Sequence, residues 1–199
     1  MDYLDHLRKD PLLGSILVEA ESIELEKQEN ICSWLCASII SQQLSTKVAK
    51  IIHGRFLDLY DGKEPSVSQI LETPFEKLRG IGMSNSKANY VKNVALFDVE
   101  HGLKAAHLDK MTDNEVKQYL LQIKGVGNWT SEMMLMFAMA RQDVFSSGDL
   151  GIQKAMTELY SLEESQSKKL QKDMTAIAKN WRPYRTYACL HLWKWKDPL

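Results

Sequence analysis

The strongest constraint on this 199-residue chain is a pattern that occurs twice: a helix-capping signal, a short apolar segment, a Gly-aliphatic-Gly triplet, and then a longer stripe of helical period. The triplets are Gly80-Ile81-Gly82 and, 45 positions on, Gly125-Val126-Gly127. Thr73-Pro74-Phe75-Glu76 reads as the first capping signal, with threonine at the N-cap, proline at N1 and a capping-box glutamate. Thr112-Asp113-Asn114-Glu115 reads as the second, opening a helix with Val116, Tyr119, Leu120 and Ile123 on one face. Beyond the triplets, Ser84 caps a helix carrying Ala88, Val91 and Ala95, and Trp129, Met133, Met136, Phe137 and Ala140 form a further stripe. In the second triplet the glycines allow positive φ and close backbone approach, while Val126 plugs the hairpin into the core. The chain must therefore double back between helices in two places.

The remaining segments follow the same period. Behind an N-cap at Asn30, the residues Ile31, Trp34, Leu35, Ser38 and Ile39 keep the helical spacing. Ser41-Gln42-Gln43-Leu44-Ser45 interrupts it before Val48, Ile51, Ile52, Phe56 and Leu59 resume. Asp61 to Pro65 is a turn. Further helices are expected to start near Asp149, near Ser165 to Ser167 (Leu170, Met174, Ile177 and Trp181 on one side) and at Pro183. No segment alternates at strand period, so the fold class is all-α. With 44% hydrophobic residues, the chain suffices for one domain, or for two small helical lobes sharing one.

Composition narrows the function by exclusion. A net charge of −1 gives no global attraction to nucleic acid, so any DNA contact must come from local basic surface and oriented backbone groups. The segment Glu19 to Glu29 is acidic, and Lys47, Lys50, Arg55, Lys77, Arg79, Lys87, Lys92 and Lys124 lie in the middle of the chain. Cys32, Cys36 and Cys189 are an odd count and read as reduced core thiols. The histidines show no metal-ligand spacing. No apolar run approaches the roughly 18 residues that span a bilayer, and the first residues lack a signal-peptide pattern, so an intracellular protein is expected.

The second turn, within Leu120 to Thr130, leaves unpaired N–H groups at the start of the following helix. Those groups and the helix dipole bind a phosphate without side-chain charge, which answers the objection from net charge. Alone, a Gly-x-Gly between helices is often only a tight connector. Here it is followed by Phe145-Ser146-Ser147-Gly148-Asp149-Leu150-Gly151-Ile152-Gln153-Lys154, and then by Trp181-Arg182-Pro183-Tyr184-Arg185-Thr186-Tyr187-Ala188-Cys189-Leu190-His191-Leu192-Trp193.

In order and spacing these motifs resemble the 3-methyladenine DNA glycosylase II family of bacteria and its fungal relatives, within the helix-hairpin-helix superfamily. The resemblance spans about Ile31 to Trp195 and includes Ser41 to Ser45 and Leu78 to Ser84 with Lys87. It implies a two-lobed helical fold with the active site in the cleft between the lobes. One lobe would cover roughly 31–140 with the hairpin at 120–130, and the other the N-terminal segment plus roughly 150–199, in a single domain over 1–199. The chain looks like the compact form, without the N-terminal β-rich domain of longer members. A single cysteine near the C-terminus also rules out the iron-sulfur cluster of some superfamily members.

By the same resemblance Asp149 is the catalytic carboxylate. Breaking an N-glycosidic bond builds positive charge on the sugar, which a fixed carboxylate beside C1′ stabilises while orienting the attacking water. Aspartate also caps helices well, and the two roles are compatible. Bifunctional members carry a nucleophilic lysine two positions after the second hairpin glycine; Trp129 stands there, which implies base removal without a lyase step. The resemblance makes Trp129, Trp193, Met133 and Trp34 the base pocket, with tryptophan faces suited to cationic bases such as 3-methyladenine and 7-methylguanine. Met133 replaces a pocket tyrosine of the longer enzymes.

For DNA, the resemblance implies contacts from Gln42, Gln43, Leu44, Ser45, Met83, Ser84, Lys87, Lys124, Gly125, Gly127, Asn128 and Thr130. Gln43 or Leu44 would fill the gap left by the everted nucleotide. The backbone carbonyls of Leu121, Ile123 and Val126 would hold a structural Na+ or K+. Arg182 and Arg185 would order the C-terminal helix. The expected substrate is damaged double-stranded DNA, met by a monomer. Ethenoadenine, hypoxanthine or uracil as the lesion, or a DNA-binding module without chemistry, are the alternatives.

Overall fold

The computed structural model describes residues 2–163 and 168–196, and the helix start expected at Ser165 to Ser167 lies outside them. Among the described residues the regular structure is helical throughout, with no strand. No helix is long and apolar enough to cross a membrane. The chain forms two compact units, a central one over Lys27–Met139 and a terminal one built from Met1–Glu26 and Ala140–Leu199.

The central unit begins with α3 (Ile31–Ser41), after α1 (Tyr3–Leu7) and α2 (Pro11–Ser15) of the terminal unit. Asn30 caps α3 through the Ser33 N–H, as its side chain's place before the apolar stripe requires. Leu35, Cys36, Ile39 and Ile40 of α3 are fully buried. They pack against α4 (Thr46–Asp58), α7 (Asn85–His101) and α10 (Asn128–Phe137). Each such aliphatic side chain stabilises by about 1.5–3 kcal/mol. Cys32, Cys36 and Cys189 are all buried.

The rest of the central unit comprises α5 (Val67–Glu72), α6 (Phe75–Gly80), α8 (Ala105–Leu108) and α9 (Asp113–Leu120). The Thr112/Glu115 capping box forms as expected, with both reciprocal bonds made. The Thr73 reading is corrected. Its hydroxyl donates to the Gln69 carbonyl at 2.7 Å and meets the Tyr60 hydroxyl at 2.9 Å, so Thr73 closes α5. α6 then starts after Pro74 with no side-chain cap. A second correction concerns α4, where only Ile52 and Phe56 of the expected stripe are buried and Val48 and Ile51 stay 40% and 46% exposed.

The terminal unit adds α11 (Leu150–Leu159), α12 (Lys168–Ala178), a 3-10 turn at Lys179–Trp181 and α13 (Arg185–Lys196). Asp10 is its junction. One carboxylate oxygen caps α2 through the Leu12 and Leu13 N–H groups, each at 3.1 Å. The other accepts the Tyr160 hydroxyl at 2.8 Å and the Trp181 indole N–H at 3.0 Å. Burial first, and the Asp10 charge second, push the Tyr160 hydroxyl pKa well up, so it stays a donor. Tyr3 stacks on Tyr187 with ring centres 4.0 Å apart, and its hydroxyl lies 3.2 Å from His191 Nε2. Burial lowers the His191 pKa to about 4, leaving it a neutral core group.

Candidate active site and nucleic-acid interface

Asp149 ends a loop that leads from α10 into α11, and α13 fastens that loop at both ends. At the near end the Asp143 carboxylate accepts from Arg182 Nε at 3.0 Å and from Arg185 Nε and Nη2 at 2.6 and 3.0 Å. Buried Thr186 donates its hydroxyl to the Arg141 carbonyl at 2.6 Å and accepts the Val144 N–H at 3.0 Å. Toward the far end the Gln153 amide donates to the Ser147 carbonyl at 2.9 Å, and the Asp149 N–H reaches the carbonyl of buried Ser146 at 3.2 Å.

The half-buried Asp149 carboxylate is the N-cap of α11. Its Oδ1 accepts the Ile152 N–H at 2.9 Å and the Trp193 indole N–H, from α13, also at 2.9 Å. Capping and a second, longer-range tie thus act on one oxygen. Gly151 makes the tie possible. A Cβ there would stand 2.9 Å from Trp193 Nε1, 3.0 Å from Cδ1 and 3.1 Å from Asp149 Oδ1. A carboxylate fixed in this way keeps its charge in one place, which is what stabilising a developing cation requires. Trp193→Phe keeps an aromatic side chain, though a smaller one, and removes the indole N–H donor. It is expected to slow single-turnover base release about tenfold or more, the worth of one hydrogen bond to a charged group, with little change in melting temperature.

The second element is the hairpin between α9 and α10. Ile123 and Val126 are buried, and the Val126 N–H closes the turn on the Ile123 carbonyl at 2.9 Å. Gly125 sits at φ +112°, and a Cβ on it would lie 2.3 Å from Tyr90 Cγ, so both its conformation and its surroundings demand glycine. Lys117 and Glu132, 2.7 Å apart and partly buried, pin α9 to α10. α10 starts at exposed Gly127 and Asn128 with no side-chain cap, and its first-turn N–H groups have no carbonyl inside the helix. Such a turn is shaped to receive an anion.

Residues 36–183 match the HhH-GPD superfamily of base excision DNA repair proteins. The chain belongs to that superfamily. It is 32% identical over 162 residues to DNA-3-methyladenine glycosylase 1 of Schizosaccharomyces pombe, covering 80% of this chain and 70% of that protein. The crystal structure of a DNA-3-methyladenine glycosidase from Bacillus halodurans superposes with a TM-score of 0.83 at 35% identity, over 97% of this chain and 88% of that one. The Schizosaccharomyces pombe enzyme Mag1 in complex with abasic DNA superposes with a TM-score of 0.84 at 27% identity, over 98% and 96%.

In this HhH-GPD chain the expected site residues fall into three groups. Gln43, Ser45, Ser84, Lys124, Gly127 and Asn128 are exposed, and Trp129 is 43% exposed. Leu44, Gly125 and Trp34 are half-buried. The third group faces inward. Met83 is 1% and Thr130 3% exposed, so neither side chain is presented to DNA, and Met133 is core-buried as well. Thr130 instead accepts from Gln42 Nε2 at 3.1 Å. Lys87, expected on a phosphate, directs its ammonium to the carbonyls of Ile40 and Gln42 at 2.8 and 2.7 Å. Trp34, Trp129 and Met133 belong to the central unit and Trp193 to the terminal one.

Sequence reasoning missed Asp143, Thr186 and Gly151, which hold the loop and the carboxylate. Arg182 and Arg185 were visible beside Pro183, but no spacing points from them to Asp143. Among the described residues no cluster of three His, Cys, Asp or Glu side chains could hold a metal ion.

Proposed function

We propose that the chain is a monofunctional DNA glycosylase of base excision repair, which hydrolyses the N-glycosidic bond of alkylated purines, 3-methyladenine and 7-methylguanine, everted from duplex DNA. The observation that carries this reading is the Asp149 carboxylate, held by a helix amide and the Trp193 indole in a chain of the base excision repair superfamily. The bond from C1′ to the base breaks, its electron pair leaves with the base, and water adds to C1′ and releases one proton to solvent. Asp149 stabilises the cationic sugar and orients that water. An alkylated purine carries positive charge, so it departs as a neutral base and stacks well on an electron-rich indole such as that of exposed Trp129. Relatives named DNA-3-methyladenine glycosylase, and the abasic DNA bound to Mag1, support the same substrate.

Trp129 in the lysine position of bifunctional enzymes supports hydrolysis without strand cleavage, since an indole forms no Schiff base. The carbonyls of Leu121, Ile123 and Val126 are neutral hard oxygens, suited to Na+ or K+ and not to a transition metal. Ile123's oxygen already accepts one N–H at 2.9 Å and has a second lone pair for an ion. Such an ion would add positive charge to the hairpin where phosphate binds, and takes no part in the bond-breaking step.

Incubating the protein with methylated duplex DNA is expected to release free 3-methyladenine and 7-methylguanine, and to yield strand breaks only after alkali. Strand cutting without alkali would overturn the monofunctional assignment. Release from ethenoadenine, hypoxanthine or uracil duplexes alone would move the lesion class, and no release from any of them would leave a DNA-binding protein.

A further inference from the structure

We propose that Lys87 and Gln42 are positioning residues that brace the 42–45 loop against the hairpin, Lys87 acting through backbone carbonyls and not through phosphate charge. The inference rests on the DNA-binding part of the reading above and is independent of Asp149.

The residues form one chain of contacts inside the central unit. α3 ends at Ser41, and the end of a helix leaves carbonyls with no N–H to accept. The Lys87 ammonium, reaching over from α7, takes the Ile40 and Gln42 carbonyls together. A cation there also complements the negative end of the α3 dipole. Two of its three donors are thereby engaged, and burial lowers its pKa. Gln42 then continues the chain. Its side-chain amide donates to the Gly125 carbonyl at 3.3 Å and to the Thr130 hydroxyl at 3.1 Å, both in or beside the hairpin turn.

Gln43 comes directly after these braces. It is exposed and held at φ +57°, a conformation that a residue with a Cβ rarely adopts unless its surroundings impose it. The Leu44 N–H closes a turn on the Ser41 carbonyl at 3.2 Å with Gln43 at the position that takes this φ, and the Lys87 and Gln42 bonds hold that turn against the rest of the unit. They set the exposed Gln43 at a fixed offset from the hairpin amides, so the part that enters the duplex at the missing base and the part that grips the strand arrive in register. A loop already ordered loses less entropy on binding. The benefit falls on DNA with a gap to fill, not on an intact duplex.

The test compares Kd for a duplex containing a tetrahydrofuran abasic analogue with Kd for the same intact duplex, by fluorescence anisotropy across roughly 50 to 200 mM salt. Lys87→Met and Gln42→Ala are each expected to weaken binding to the abasic duplex about tenfold more than binding to the intact duplex, and to preserve the slope of log Kd against log salt. The double variant is expected to be little weaker than either single one, since both release the same loop.

A Lys87 variant that weakens both duplexes and flattens the slope by about 0.9 would mark a phosphate contact and overturn the brace. Equal weakening of both duplexes at constant slope, in either variant, would mark a general loss of folded protein and overturn the brace. Additive losses would also overturn it. A wild-type protein that binds neither duplex would overturn the DNA reading itself, an outcome separate from any of these.

Discussion

Asp149→Asn is expected to reduce base release from methylated duplex DNA by on the order of 10³-fold or more, a loss comparable to removing a main electrostatic contact in other enzymes. It should do so without unfolding the protein. The α11 cap needs an oxygen acceptor, and asparagine caps a helix about as well as aspartate. The carboxamide oxygen can also still accept the Ile152 and Trp193 N–H groups that now meet Asp149 Oδ1. The substitution removes the negative charge and exchanges one acceptor oxygen for an N–H donor. Single-turnover release of free base, measured beside a thermal melt, checks both halves. A variant that melts as wild type and releases base within about tenfold of it would end the claim that this carboxylate stabilises the sugar cation.

Gly125→Ala is expected to have the largest effect on stability. The new methyl would lie 2.3 Å from Tyr90 Cγ and 2.6 Å from its Cβ, at a φ of +112° that alanine resists. Strain and overpacking together place the cost at about 3 kcal/mol, or roughly 10 °C in melting temperature for a chain of this size. Tyr90→Ala in the same molecule would relieve the clash but not the φ, so about half of the loss should return. Gly127→Ala is the control. Its φ is −104° and a Cβ there would meet no heavy atom within 4 Å, so the fold should tolerate it. Any loss of DNA affinity in that variant would then report crowding of the anion-binding turn rather than unfolding.

These expectations differ in how far the sequence announces them. The hairpin and its glycines are legible because their signals are local, and the Thr112/Glu115 box closes within four consecutive residues. The same signature at Ser66 and Gln69 opens α5, while Thr73, which precedes proline as a cap residue can, is captured by Gln69 and by Tyr60. Choosing between such candidates takes knowledge of which acceptors lie nearby in space. Periodicity likewise shows which face of α4 is apolar, but not what covers it, and Val48 and Ile51 stay in the open.

At the site, the resemblance supplied Asp149, whereas its supports were hidden for a physical reason. Asp143 finds Arg182 and Arg185 across 39 and 42 positions. The acceptors of Lys87 are backbone carbonyls, which leave no trace in residue identity. A lysine in a basic stretch therefore reads as a phosphate ligand until its geometry is known.

The split of the terminal unit around Lys27–Met139 bears on synthesis as well as on architecture. During translation the uninterrupted central unit emerges whole and can close on its own core while the ribosome is still working. Asp149 leaves the tunnel after it, and the side chains that anchor its loop and its charge, Arg185 and Trp193, come later still. A nascent or prematurely ended product would thus have its Gly125–Gly127 turn assembled before Asp149 and the side chains that anchor it are in place.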